Sequence, residues 1–61
     1  MAVKDFIKQE IEVMVNVYVC NAEGKAYNAR RLPQKIANAM VIGSDTYINE
    51  AGAETIYIWI D

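Results

Sequence analysis

The chain lacks histidine altogether, and its 61 residues include only one cysteine, one proline and one tryptophan. A single cysteine forms no disulfide within the chain, and together with scattered carboxylates it does not make a zinc site. Histidine is the side chain that most often transfers protons near neutral pH, so its absence argues against acid–base catalysis. We therefore expect a protein that is not an enzyme and that uses no metal and no cofactor.

The lone thiol and the three glycines have structural explanations. Cys20 follows an apolar run and has no histidine to activate it, which favours a small hydrophobic role over that of a nucleophile. Gly24 and Gly52 each stand fourth in an Asn-x-x-Gly segment, and Gly43 follows a helical pattern. This spacing suits turns and a helix end, and it does not match a phosphate-binding loop.

Long apolar runs are missing as well. No segment approaches the roughly 18 apolar residues that span a membrane, and the first residues lack the apolar region of a signal peptide. We therefore expect a cytoplasmic protein in a reducing compartment, without membrane contact. Residues 1–61 form one domain, and a chain this short buries only about 60% of its unfolded surface, which favours self-association as added stability.

Charge is unevenly distributed along the chain. The net charge of −2 argues against nucleic acid as the main partner. Residues 25–35 contain bases and no acid, whereas residues 36–61 contain acids and no base. Short chains often scatter charge unevenly, but the segregation also fits a charged contact surface. On the second interpretation, the candidate partner-contact residues are Arg30, Arg31 and Lys35.

What the sequence does contain is two runs of strictly alternating residue types. In residues 11–20, Ile or Val alternates with a second set that includes Met14 and Tyr18, and in residues 55–60 Ile alternates with Thr, Tyr and Trp. A strand directs successive side chains to opposite faces, so both runs predict strands with one aliphatic and one aromatic face. The aliphatic face belongs to the core.

Two Asn-x-x-Gly segments, at residues 21–24 and 49–52, predict the hairpin turns. Asparagine at the first position and glycine at the fourth favour a type I turn that is closed by a left-handed glycine. The turn then fixes the register of each hairpin. The expected facing pairs are Val19 with Tyr27, Val17 with Ala29, Tyr18 with Asn28, Tyr47 with Thr55, and Ile48 with Glu54.

The predicted fold class is α+β. Strands are expected at residues 11–20, 25–31, 45–48 and 54–60, with a helix over 33–42 that starts at Pro33 and ends at Gly43. Residues 2–9 suit a short helix or an irregular arm. The pattern gives a small ββαββ domain of antiparallel hairpins, or ββαβ if residues 45–48 are loop, with one helix packed on one sheet face.

The aromatic face is the candidate contact surface. Its aromatic and sulfur side chains are of the types enriched at protein interfaces. A plain alternative is that a small sheet carries β-forming residues on both faces, or that the N-terminal segment covers this one. The predicted interface residues are Met14, Tyr18, Tyr47, Tyr57 and Trp59, with Asn16, Asn28, Arg30 and Thr55 among them.

These features together favour a non-enzymatic protein-interaction module that forms a homodimer through the aromatic face and also binds another protein. Small proteins of this type include phage or mobile-element inhibitors and accessory proteins that act on a host or complex protein. One alternative is a structural or assembly subunit of a virion or larger complex. Another is a single-stranded nucleic-acid binder that stacks bases on the sheet aromatics.

The hairpin exit Glu23-Gly24-Lys25-Ala26-Tyr27 follows an apolar strand, and the chain closes on a hydrophobic strand. In these features the layout from residue 11 onward resembles the small phage-encoded uracil-DNA glycosylase inhibitors. The resemblance implies a dimer joined through its sheets that blocks the DNA-binding surface of the enzyme and shelters one of its apolar side chains. That family has acidic character on its helix, whereas residues 33–42 here contain Lys35 and no acid. DNA mimicry would instead need Asp45, Glu50 and Glu54, and the resemblance assigns no site residues.

Overall fold

The computed structural model describes residues 1–12 and 16–61. In chain order it contains helix α1 (Val3–Glu10), strand β1 (Val17–Cys20), strand β2 (Ala26–Asn28), a 3₁₀ turn (Ala29–Arg31), helix α2 (Gln34–Ala37), strand β3 (Val41–Ile48) and strand β4 (Glu54–Ile60). The α+β class is confirmed, and the N-terminal segment is a helix. The predicted first strand, residues 11–20, lies partly outside the described residues, and its described strand begins at Val17.

The four strands form one mixed sheet with the order β2-β1-β4-β3. Each hairpin is antiparallel, while the two central strands, β1 and β4, run parallel to each other. A parallel pair needs a long crossover, which the chain supplies through β2, α2 and β3. Because β1 enters its turn and β4 leaves its own, the two hairpin turns lie at opposite ends of the sheet.

The core lies between the aliphatic sheet face and the helices. Val3 of α1 is fully buried, and so are Val19 of β1 and Ile58 of β4. Phe6 and Ile7 follow Val3 at helical spacing and pack on the same cluster, which makes α1 amphipathic. The other buried members of the cluster are Val17, Ala29 and Ile60.

Both predicted turns are confirmed, and they share one set of hydrogen bonds. The Oδ1 atom of Asn21 accepts from the N–H groups of Glu23 and Lys25, each at 3.0 Å. Asn49 accepts in the same way from Ala51 and Ala53, each at 2.9 Å. Gly24 and Gly52 have φ values of 85° and 83°. The observed register confirms the pairs Val19 with Tyr27, Tyr18 with Asn28, Tyr47 with Thr55, and Ile48 with Glu54.

The prediction for the second strand was wrong at its end. β2 stops at Asn28 because the Asn28 side chain accepts a hydrogen bond from the Arg30 N–H at 2.9 Å and starts a 3₁₀ turn. Asparagine often diverts the backbone in this way. Ala29 therefore does not face Val17 across the ladder, but enters the core from the 3₁₀ turn.

The prediction of a helix over residues 33–42 was also wrong in length. α2 covers only Gln34–Ala37, and the chain from Val41 onward is strand. Val41 and Ile42 are β-branched, and pairing with β4 outweighs the helical spacing of the apolar residues before them. Gly43 consequently is not a helix cap; it lies in β3 opposite Trp59, next to an irregularity between Val41 and Gly43.

The helices of the described residues, α1 and α2, are too short to cross a membrane.

Candidate interaction surface

Four aromatic side chains form a continuous cluster on the sheet face that points away from the helices. Tyr57 lies at its centre, with its ring centroid 6.0 Å from that of Tyr18, 5.6 Å from that of Tyr47 and 5.8 Å from that of Trp59. These separations fall in the range of favourable aromatic pairs. We call these four residues, Tyr18, Tyr47, Tyr57 and Trp59, the aromatic face.

Strand register explains why the rings meet. Tyr18 of β1 is directly opposite Tyr57 of β4, and residues two apart on one strand share a face, so Trp59 follows Tyr57. Tyr47 is opposite Thr55 and reaches Tyr57 on the diagonal, edge to face at 73°. Three strands therefore contribute to one surface.

Trp59 is held in place from β3. Its indole Nε1–H donates a hydrogen bond of 2.6 Å to Oδ2 of Asp45. Its neighbour across the ladder is Gly43, which has no side chain. A Cβ at that position would lie 3.8 Å from Cδ1 of the indole. The carboxylate thus orients the ring, and the glycine leaves room beside it.

The aromatic face is open among the described residues. Tyr47 is 57% exposed, and Tyr18, Tyr57 and Trp59 are partly exposed. A shallow depression of about 300 Å³ is lined by Tyr47, Thr55, Tyr57 and Trp59. The helices pack on the opposite sheet face through Val3 and its neighbours. Rings that are mutually stacked but exposed present a rigid, largely apolar contact surface.

The sequence correctly brought together Tyr18, Tyr47, Tyr57 and Trp59. Met14, the fifth predicted interface residue, lies outside the described residues. Arg30 lies in the 3₁₀ turn that follows β2 and not in a strand, so the strand alternation that grouped it with this face does not extend to it.

The predicted partner-contact residues, Arg30, Arg31 and Lys35, are exposed and lie outside the four strands. They belong to the 3₁₀ turn and α2, a segment that packs on the core through Ala29, Leu32 and Ile36. The basic residues therefore belong to a different segment from the strands that build the aromatic face.

The Asp45–Trp59 hydrogen bond is a feature that the sequence analysis missed. The predicted register of Tyr47 with Thr55 already contains the signal, because extending it by two residues sets Asp45 opposite Tyr57 and diagonal to Trp59.

Within residues 1–12 and 16–61, no three His, Cys, Asp or Glu side chains lie close enough to hold a metal ion. Cys20 is buried beside Trp59 in the ladder, where it contributes apolar packing.

Comparisons of this chain with known protein families, with curated proteins and with solved structures find no match. The resemblance to uracil-DNA glycosylase inhibitors therefore stays a prediction.

Proposed function

We propose that this protein is a non-enzymatic interaction module and that the aromatic face is the surface with which it binds another protein. The observation that carries the proposal is the contiguous cluster of partly exposed rings on the sheet face opposite the described helices. Tyrosine and tryptophan are enriched at protein interfaces because large rings with few rotatable bonds bury much area at small entropic cost. The Asp45 hydrogen bond further reduces the freedom that Trp59 loses on binding.

The charge around the aromatic face indicates which kind of partner surface fits it. None of the four strands contains lysine or arginine, while the Asp45 carboxylate lies beside Trp59 and is exposed. A complementary surface is apolar and carries a lysine or arginine, which can pair with Asp45 and lie over a ring. The partner on this face is thus a protein with a basic, apolar patch.

A second copy of the chain suits the aromatic face less well. Face-to-face packing would bring two Asp45 carboxylates into one closing interface, with no cation from the strands to compensate them. Burial of uncompensated charge is costly. We therefore assign the aromatic face to a different protein, in keeping with the inhibitor or accessory role that the sequence predicts.

Single-stranded nucleic acid would stack on the same rings, but the phosphates need nearby cations, which supply most of the affinity in such complexes. The strands that build the face contain none.

The experiment is affinity capture from the host cell with matched variants. Trp59→Ala removes the largest ring of the face, while Met40→Ala removes a side chain that is 62% exposed and lies before β3 begins. We expect the wild type and Met40→Ala to retain one protein in a stoichiometric amount and Trp59→Ala to lose it. The purified partner should then change the Trp59 emission on titration.

Asp45→Asn tests the charge separately, since an amide oxygen still accepts from the indole. Binding of a cationic partner should weaken and become less dependent on salt. Retention of the partner by Trp59→Ala at wild-type affinity would exclude the aromatic face as the binding site.

A further inference from the structure

Strand β3 lies at the edge of the sheet, and its outer side is occupied only at its start. Ala2 forms an antiparallel bridge with Met40, and the Val41 N–H donates to the carbonyl oxygen of Met1 at 2.9 Å. The Val3 N–H donates to the carbonyl oxygen of Ala39, also at 2.9 Å. No residue among 1–12 and 16–61 pairs with the outer side of residues 42–48. The N-terminal residues thus cover one end of the edge and leave the rest open.

The open part of the edge offers a regular set of donors and acceptors. The Asn49 N–H donates to the Ala53 carbonyl at 2.9 Å, and facing residues in an antiparallel pair alternate between hydrogen-bonded and not. Asn49, Tyr47 and Asp45 therefore bond to β4. The N–H and C=O groups of the alternate residues, Ser44, Thr46 and Ile48, point outward.

The side chains of β3 do little to discourage pairing with another strand. Natural edge strands are commonly protected by lysine, proline or a bulge. β3 has an irregularity between Val41 and Gly43, but it contains no lysine, arginine or proline, and Asp45 is its one charged residue. Ile42 and Ile48 are 67% and 69% exposed.

We infer that β3 pairs with β3 of a second copy, antiparallel, about a two-fold axis perpendicular to the sheet. Such an axis keeps the two faces of the sheet distinct, so facing residues must be an even number of positions apart. The registers with good overlap are therefore centred on Ser44, Asp45 or Thr46.

Two features of the structure choose between these registers. A pairing centred on Ser44 would use the outer side of Met40, which Ala2 already occupies. A pairing centred on Asp45 would set two carboxylates directly opposite each other, which is destabilising. The pairing centred on Thr46 avoids both conflicts. It faces Thr46 with its own copy, Ser44 with Ile48, and Asp45 with Tyr47.

This register gives about six main-chain hydrogen bonds between the copies. It joins the two sheets into one continuous sheet in which β3 is no longer an edge. Because the axis is perpendicular to the sheet, both aromatic faces lie side by side on one surface, and all helices lie on the other. The dimer would therefore offer two adjacent binding faces to the partner. The pairing itself depends on β3 alone, so it can be tested separately from the proposed function.

The first test is solution mass by light scattering over a wide dilution series. We expect the wild type to have about twice the chain mass of 6.9 kDa at high concentration and to dissociate on dilution. Thr46 is exposed, so Thr46→Lys and Thr46→Glu should fold, and each should be monomeric because like charges meet at the axis. Mixing the two variants should restore a dimer. Ala26→Lys and Ala26→Glu, on the opposite edge of the sheet, should leave the dimer intact.

Variants with one added cysteine test the register of the β3–β3 pairing separately. Directly facing residues have Cα atoms about 5.5 Å apart, within the range of a disulfide. Under mild oxidation Thr46→Cys should therefore form a covalent dimer. Ser44→Cys should not, since Ser44 faces Ile48 in this register. The native Cys20 is buried and serves as the background in both variants.

A wild-type protein that is monomeric throughout the series would overturn the inference, as would dimers that survive both Thr46 charge variants. Cross-linking through Ser44→Cys and not through Thr46→Cys would overturn the register. Affinity capture of the partner tests the aromatic face independently of the β3 dimer. A monomeric Thr46→Lys that still captures the partner separates the failure of one proposal from that of the other.

Discussion

The two hairpins of this protein have the same type of turn but differ in strand length and in burial. Asn21 and Asn49 accept the same pair of backbone hydrogen bonds at nearly equal distances, and both turns close with a left-handed glycine. The first hairpin uses strands of four and three residues, the second strands of eight and seven. The turn chemistry therefore does not set how long the strands become.

The burial of the first strand of each hairpin runs opposite to its length: the shorter strand, β1, is more buried than the longer strand, β3. Short β1 lies between β2 and β4, and three of its four residues are buried. Long β3 lies at the edge, and six of its eight residues are exposed. Among residues 1–12 and 16–61, four of the five large apolar side chains that are exposed lie on or next to β3, namely Met40, Ile42, Tyr47 and Ile48. The comparison indicates that β1 stabilises the fold while β3 presents surface; β4, which pairs with both, contributes Ile58 and Ile60 to the core.

The largest expected difference between the hairpins is in core stability. Val19→Ala removes methyl groups from a fully buried site and should lower the free energy of unfolding by roughly 2–3 kcal/mol, because burial is lost and a cavity remains. Ile48→Ala, at a site 69% exposed, should change it by less than about 0.5 kcal/mol. Urea denaturation at one dilute protein concentration measures both. Equal losses would mean that β3 contributes to the core as much as β1 does.

The turn asparagines should have intermediate and equal effects. Asn21→Ala and Asn49→Ala each delete an acceptor of two backbone hydrogen bonds, and each should cost about 1–2 kcal/mol of unfolding free energy. Asn21→Asp and Asn49→Asp keep the acceptor and serve as controls, with little expected loss. A much smaller cost at Asn49 would show that the second hairpin holds its register through strand pairing alone.

Glycine replacement at the turns should lower the free energy of unfolding by a similar amount. At Gly24 and Gly52 an added Cβ meets nothing within 4 Å, so the penalty of alanine there is purely conformational. The left-handed φ values of 85° and 83° disfavour an L side chain by roughly 1–2 kcal/mol. Thermal unfolding of Gly24→Ala and Gly52→Ala should show similar decreases in Tm. A loss confined to one of them would contradict the equivalence of the turns.

The sequence predicts structural features that depend on residues close together in the chain better than features that depend on distant residues. The turns and the registers beside them depend on residues a few positions apart. Both were correct as far as Asn28, where the pairing ends before the predicted Val17–Ala29 pair. The aromatic face followed from strand alternation combined with those registers, which is why Tyr18, Tyr47, Tyr57 and Trp59 could be grouped before the structure was known.

The early end of β2 has a local cause in the Asn28 side chain, but the other errors arose where a distant strand decides the local structure. Apolar spacing at Ile36, Ala39 and Met40 fits a helix, but Val41 onward pairs with β4, which is far along the chain. The parallel pairing of β1 with β4 depends on packing across the whole core, and no local pattern indicates it. The covered start of the β3 edge depends likewise on Met1 and Ala2 meeting residues 39–41.

The smallest expected effect sharpens the comparison between the turn glycines and the glycine within β3. Gly43 does not have a left-handed φ, and a Cβ there would lie in ordinary contact at 3.8 Å from Cδ1 of Trp59. Gly43→Ala reduces the freedom of the unfolded chain without straining the strand, so it should stabilise the fold by about 0.5 kcal/mol.

The same denaturation series that ranks Gly24→Ala and Gly52→Ala would measure Gly43→Ala, with Trp59 emission as a check that the indole keeps its place. Opposite signs at the turns and at Gly43 are expected, because backbone conformation dominates at the turns and chain entropy dominates in the strand. A loss of stability at Gly43 accompanied by a shift of the Trp59 emission would instead mean that the missing side chain is what allows the indole to reach Asp45.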